Sequence, residues 1–210
     1  MKNSSNSVFN RLGKDVFNPK KLIPYYVWKV NCSLVKQVVL NGDVFYKYRG
    51  DLYPDYLNHG NAMSSITEFA RKWCIGDGID VGADQWPLKG ATPIQDDPAQ
   101  NAYKLDSFAD ASLDFVFSSH CLEHLDNWQT ALRLWIRKLK AGGILFLYLP
   151  HNSMKLWHPN GPWVGSQHKW KPSIEVLIPF LIHNGIEIVD YNPGRDKYWS
   201  FHIVGRRTHV

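Results

Sequence analysis

Apolar residues recur at helical spacing from Ala62 through Ile66, Phe69 and Ala70 to Trp73, which predicts a helix with Asn61 as its N-cap. The pattern then switches to short, unbroken apolar runs. Gly78–Gly82 and Ala91–Gln95 read as short strands. "LDFVFSS", Leu113–Ser119, has the length and continuous apolarity of a strand buried on both faces. Trp128, Ala131, Leu132, Trp135, Ile136 and Leu139 return to helical spacing, with Gly142-Gly143 as a stop. "ILFLYLP" follows as a buried strand, "PSIEVLIPFLIHNG" as a helix despite Pro179, and "IEIVDY" and "SFHIVGRR" as the last strands. This alternation predicts an α/β fold, a mostly parallel sheet with helices on both faces. Ligands of such sheets bind beyond the carboxyl ends of the strands, so residues just after strands become the candidates.

Upstream, "LIPYYVWKV", "LVKQVVL" and "DVFYKYRG" mix aromatics, proline and short apolar runs without one clear period. Residues 1–60 are therefore read as an N-terminal extension packed on a main domain of residues 61–210. Charge sets the same segment apart. It holds nine Lys/Arg against four Asp/Glu, which is the whole net charge of +5. Such an excess can attract an anionic partner, but the charges are scattered, as on an ordinary solvated face.

With 210 residues and 44% apolar content, the chain can bury one substantial core. No apolar run approaches the ~20 residues of a membrane-spanning helix, and the N-terminus lacks the apolar core of a signal peptide. Cys32, Cys74 and Cys121 form neither a disulfide framework nor a metal knuckle. A soluble, cytoplasmic protein is expected.

One spacing suggests metal chemistry. His120-x-x-Glu123-His124 matches the inverted zinc-peptidase pattern. That chemistry needs both histidines inside a helix and a further protein ligand, and neither is evident, so no metal is expected. Glu123 and His124 are read as structural.

The stretch "LDSFADASLDFVFSSHCLEHLDNW…LRLWIRKLKAGGILFLYLP" resembles the centre of class I S-adenosylmethionine-dependent methyltransferases of the methyltransferase-11-like group. The shared features are a strand carrying an acid (Asp114), a "LEH" element, a helix ending in Leu-Lys-x-Gly-Gly, and a buried strand. The resemblance covers about Asn61 to the C-terminus. It implies a Rossmann-like, doubly wound, mostly parallel seven-stranded sheet with an antiparallel C-terminal strand, an enzyme, and S-adenosylmethionine as cofactor. It places the cofactor on the loop of Asp80, Val81, Gly82, Ala83 and Asp84, where the family pattern is Asp-x-Gly-x-Gly-x-Gly. Asp84 and Trp86 stand where the later glycines belong. A carboxylate there opposes a pyrophosphate but not a sulfonium or an α-amino group. Gln95 occupies the position of the ribose-binding acid, with Asp96 beside it. Asp106 and Phe108 correspond to the adenine-facing element, and Ser119 and His120 close the cofactor side.

Methyl transfer to a neutral oxygen or nitrogen benefits from a base near neutral pH, and histidine is the natural one. His120, His151 and His168 all follow strands or lie in the next loop. Residues 152–171, rich in Trp, Pro, Gly and His, read as a substrate-facing lid. Tyr56, His59 and Asn61 are weaker candidates, more simply explained as turn and cap residues. The implied acceptor is a small molecule or a glycan. A nucleic-acid or nucleotide-linked acceptor is an alternative, against which no dense basic stripe or Asn/Asp-Pro-Pro-Tyr element is present. A catalytically silent binding protein and a homodimer both stay open.

Overall fold

The computed structural model describes residues 19–208. Helix α1 (Pro19–Ser33) leads into three antiparallel strands, β1 (Lys36–Leu40), β2 (Asp43–Tyr48) and β3 (Asp51–Pro54). Asn41-Gly42 and Arg49-Gly50 make the two turns, all four residues at positive φ, and Leu40 pairs with Asp43 while Tyr48 pairs with Asp51. Two-residue hairpins need that left-handed geometry, which Asn-Gly adopts readily. After α2 (Met63–Ala70) come β4 (Gly78–Val81), β5 (Thr92–Ile94), β6 (Leu113–Ser119), α3 (Trp128–Lys138), β7 (Leu139–Pro150), α4 (Ile174–His183), β8 (Ile186–Asn192) and β9 (Ser200–Arg207).

The second sheet has the order β5-β4-β6-β7-β9-β8. The first four strands are parallel, and β9 lies antiparallel between β7 and β8. This is a Rossmann-like α/β sheet with the expected antiparallel C-terminal strand. Alternate side chains of its central strands enter different layers. Val116, Leu145 and Leu147 pack with Leu132 and Trp135 of α3 and Leu177 and Leu181 of α4. Phe115, Phe117 and Phe146 pack on the other face with Ile66 and Ala70 of α2. Burying each such side chain stabilises the fold by roughly 1.5–3 kcal/mol.

The sheet has six strands among the described residues rather than seven. The segment between β5 and β6 is turns. The Asp97 and Asn101 carboxyl and amide oxygens accept the Ala99 and Tyr103 N–H groups at 2.7 and 2.9 Å. Such local bonds compete with a strand ladder. No helix joins β4 to β5; residues 82–91 cross as a loop with Leu88 buried. Helix α3 stops at Lys138, ahead of Gly142-Gly143, because Leu139 already pairs with Leu113. Gly142, at φ +79°, takes up the irregularity before Ile144 pairs with Phe115. Helix α2 begins at Met63, and Asn61 Oδ1 accepts the Ser64 N–H at 3.2 Å, whereas Trp73 lies beyond its end. No helix of the described residues is long and apolar enough to cross a membrane.

The small sheet lies against the loops at one edge of the large one. Tyr48, Tyr53 and Leu57 share a core with Met154, Leu156, Trp157 and Trp199. The Trp28 indole N–H donates to Pro162 O at 3.1 Å, and Asn31 Nδ2 donates to Asn160 O at 2.9 Å. Tyr53 is fully buried, with its ring 4.6 Å from that of Trp199. Tyr53→Ala is expected to lower unfolding free energy by about 3–5 kcal/mol in urea titration. Val39→Ala, at an exposed position, should change it by less than ~0.5 kcal/mol.

Candidate active site

The loop after β4 is built around one buried carboxylate. Asp80 Oδ2 accepts the Leu88 N–H at 2.7 Å, and the side chain is 1% exposed. Burial raises its pKa to about 6, with the Leu88 bond acting in the opposite direction. The bond draws the far end of the loop under the strand and exposes the stretch between. Gly82 N–H donates to Ile94 O at 2.8 Å, which joins the ends of β4 and β5. Ser118 Oγ donates to Val81 O at 2.9 Å and ties in the end of β6. Gly82 has φ +85°, and a Cβ there would lie 2.4 Å from the Cys121 Cβ. Glycine is required twice over, by conformation and by space.

Val81 and Ala83 are buried, so only their backbone is available to a ligand, while Asp84 and Trp86 are exposed. Asp84 has φ +39°, and its carbonyl accepts Gln95 Nε2 at 3.1 Å. Gln95 therefore braces the loop with its amide nitrogen and keeps its Oε1 as an acceptor. Asp96 is exposed beside it. Phe108 is elsewhere: its carbonyl accepts Lys138 Nζ at 2.8 Å, at the last turn of α3. Since α3 runs back from the end of β6 to the start of β7, that turn lies at the opposite edge from Gly82 and His120. Phe108 is thus not brought to the strand ends. Asp106 is exposed a short way along the same turn-rich segment. Asp114 also serves that far edge, pairing with Lys140 at 2.6 Å.

Three candidate histidines do gather at the near edge. His151, Trp157, His168 and Trp170 line a cavity of about 10 Å³ directly after β7. His120 adjoins it, its ring 5.3 Å from that of Trp157. His120 stands at φ +50°, in a strained conformation for a residue with a side chain. Its Nε2 lies 2.8 Å from Ser200 Oγ. Burial, then the nearby His168 and His124, pushes its pKa down to about 3; burial, then His124, lowers His168 likewise to about 3. Both rings are neutral at pH 7 and too weakly basic to act efficiently as general bases. His151 is held differently: its Nδ1 accepts the Ser153 N–H at 3.1 Å, which leaves Nε2 as the protonated nitrogen. Glu123, beneath them, is fully buried, and burial lifts its carboxyl to about 8.

Residues 88–147 match the sequence family described as the methyltransferase domain. A search of curated protein sequences returns no significant match. Similar solved structures include an S-adenosylmethionine-dependent methyltransferase of Thermotoga maritima, 17% identical, with TM-score 0.56 over 73% of this chain and 93% of that one. The 1,6-didemethyltoxoflavin-N1-methyltransferase of Burkholderia thailandensis, solved with its substrate and S-adenosylhomocysteine, is 14% identical with TM-score 0.51 over 82% and 98%. The [4+2]-cyclase SpnF is 15% identical with TM-score 0.51 over 71% and 82%. The chain thus has the fold of these S-adenosylmethionine-dependent methyltransferases, and its residues 88–147 carry the methyltransferase-domain pattern.

Local sequence patterns did not reveal Ser200 and Tyr198 as partners of His120, since β9 enters the sheet from the far end of the chain. Tyr56, His59 and Asn61 are occupied structurally: Tyr56 Oη donates to Lys197 O at 2.6 Å, His59 pairs with Asp55 at 3.1 Å, and Asn61 accepts the Ser64 N–H just ahead of α2, whose N-cap is Ala62.

Asp80 carries a pH signature. Its folded pKa, about 6, lies above its ordinary value of 3.8. Its contribution is therefore fully present below about pH 4 and is lost as pH rises through 6. Asp80→Asn should gain roughly 2–3 kcal/mol over the parent between pH 4 and pH 7.5, measured by denaturant titration at each pH; a pH-independent difference would contradict this placement. Gly82→Ala should cost at least ~2 kcal/mol in the same measurement, and a cost under ~0.5 kcal/mol would mean the Cys121 contact relaxes freely.

Proposed function

We propose that this chain is a cytoplasmic methyltransferase that moves a methyl group from S-adenosylmethionine to an oxygen or nitrogen of a small-molecule or glycan acceptor. The observation that carries the reading is the convergence of two features at the carboxyl ends of parallel strands. One is an acidic turn with no phosphate-binding apparatus. The other is a pocket walled by histidine and tryptophan. The bound cofactor supplies a methyl group already activated on a sulfonium. The backbone of Gly82–Asp84, with Gln95 and Asp96, forms its seat: carboxylates there favour a cationic ligand, and Gln95 Oε1 can accept from a hydroxyl. Ser119 and His120 close the seat from β6.

On the acceptor side the chain's task is to position a nucleophile and exclude water. His151, with Nδ1 engaged by Ser153, orients an acceptor oxygen through its Nε2–H, and the proton that the acceptor loses on methylation leaves to solvent as S-adenosylhomocysteine departs. His120 and His168 shape the wall as neutral rings. Trp157 and Trp170 line the same cavity, which at about 10 Å³ admits no more than a water-sized group, so a sugar acceptor needs residues 152–171 to move outward before it can stack on the indoles. The loop of residues 152–171 covers this side, held in turn by the N-terminal sheet.

Because a cyclase shares the fold, binding must be measured directly. Calorimetry with S-adenosylmethionine and S-adenosylhomocysteine should give micromolar affinity, weakened at least ~10-fold in Asp84→Lys as charge complementarity reverses. Binding of neither compound would end the enzyme reading. With labelled cofactor and panels of oligosaccharides, small phenols and amines, or RNA and DNA, label is expected on the first two panels. His151→Ala should reduce transfer ~100-fold with cofactor affinity unchanged. Label appearing only on nucleic acid would overturn the acceptor assignment.

A further inference from the structure

Methyl transfer gives no account of Glu123. Its carboxylate is fully buried and neither oxygen has a hydrogen-bond partner, a costly state for an ionisable group. Nearby nitrogens stand at distances too long for good hydrogen bonds: His120 Nδ1 at 3.5 Å and His168 Nε2 at 3.9 Å from Oε1. His168 Nδ1 is also buried without a partner. Of the five unpartnered buried side-chain atoms among the described residues, three thus belong to this one cluster. His124 completes it. Ligand-type atoms of Glu123, His124 and His168 all lie within 4.8 Å of one another, and the two imidazoles meet edge to face at 4.5 Å.

We propose that Glu123, His124 and His168 bind a divalent transition-metal cation, Zn²⁺ foremost, which fastens residues 152–171 to the turn after β6. Two imidazoles and one carboxylate are the donor set of such borderline ions. Ligands bonded to one ion at ~2.0–2.2 Å stand roughly 3.3 Å apart, so the observed spacing needs a contraction of about an ångström or so. His120 borders the same group. Ser200 Oγ donates to Tyr198 O at 3.1 Å, so it accepts the His120 Nε2–H at 2.8 Å. The neutral ring then carries its lone pair on Nδ1, the atom 3.5 Å from Glu123 Oε1. Metal binding would displace the proton that burial favours on Glu123 and take its carboxylate as a ligand.

The backbone holds the site ready. The Lys169 N–H donates to Glu123 O at 2.8 Å, and the Trp170 indole N–H donates to Leu122 O at 2.9 Å. Trp170 also stacks on Trp128, with ring centroids 4.6 Å apart. His168 is thereby fixed against the turn Leu122–His124. The further protein ligand that His120-x-x-Glu123-His124 lacks in sequence comes from this loop. The turn is a short 3₁₀ segment rather than a helix, so the peptidase arrangement is not reproduced. The cation's role is to position the loop beside the acceptor pocket, and the proposal does not depend on methyl transfer.

The test uses the full chain, stripped with EDTA and dialysed into metal-free buffer. Zn²⁺ titration should show a single equivalent bound, with a rise in melting temperature that EDTA reverses. Co²⁺ should give the intense visible bands of a low-coordinate site. Glu123→Gln and His168→Asn should each weaken Zn²⁺ at least ~100-fold, while His59→Asn, at an exposed histidine, should bind as the parent does. The parent protein alone can overturn the proposal: substoichiometric Zn²⁺ without Co²⁺ bands refutes the site even if neither variant folds. Undiminished Zn²⁺ affinity in both variants refutes it equally, by placing the ion elsewhere.

Discussion

The architecture depends on the burial of β7 on both faces and along both edges. Its odd and even positions enter different apolar layers, while β6 and β9 take up its hydrogen bonds on either side. From Ile144 onward a strand so enclosed keeps its side chains in the core, and the polar residues stand at its ends: Lys140 at its start and His151 beyond its carboxyl end. His151 is the first residue after the strand. The same confinement governs β6, whose first residue beyond the sheet is His120. The candidate chemistry collects at that edge because the middle of these strands is committed to the core, while the far edge is taken up by the Asp114–Lys140 pair.

Within that edge, the turn after β4 answers the question raised by its missing glycines. A glycine-rich turn brings backbone close to a ligand through conformational freedom. Here one glycine remains, at Gly82, where φ and the Cys121 contact demand it. The rest of the loop is shaped by Asp80 holding Leu88 and by Gln95 holding Asp84. A fixed polar scaffold has replaced flexibility. The replacements are acidic or neutral, in keeping with a cofactor that carries positive charge rather than phosphate.

The N-terminal segment bears on the same edge. Its tyrosines enter the core that also holds Trp157 and Trp199, and its helix donates hydrogen bonds to the loop at Asn160 and Pro162. Its described basic side chains, Lys29, Lys36, Lys47 and Arg49, are exposed. Its aromatic residues make the contacts. Loops that would be mobile on a bare sheet are pressed between two sheets, which lowers the ordering cost of binding an acceptor beneath them.

The α/β alternation, the buried runs at Leu113–Ser119 and "ILFLYLP", and the post-strand position of His120 and His151 were all legible in the sequence, because local periodicity and strand length depend on near neighbours along the chain. The N-terminal hairpins were not read from the sequence, although Asn41-Gly42 signals the first turn; their strands are mostly exposed, so apolar periodicity passes over them. The seventh strand that the resemblance implied is absent among the described residues, and the segment between β5 and β6 is held in turns by side-chain-to-backbone bonds at Asp97 and Asn101. Phe108 was drawn to the wrong edge of the sheet by its order in the chain, since order does not reveal which end of a helix a carbonyl will meet. Only the tertiary structure decided that Ser200 reaches His120, and that His168 comes to rest against Glu123. Those pairs are 80 and 45 positions apart. Contacts at such separation are fixed by how the layers close around β7, and no local pattern encodes them.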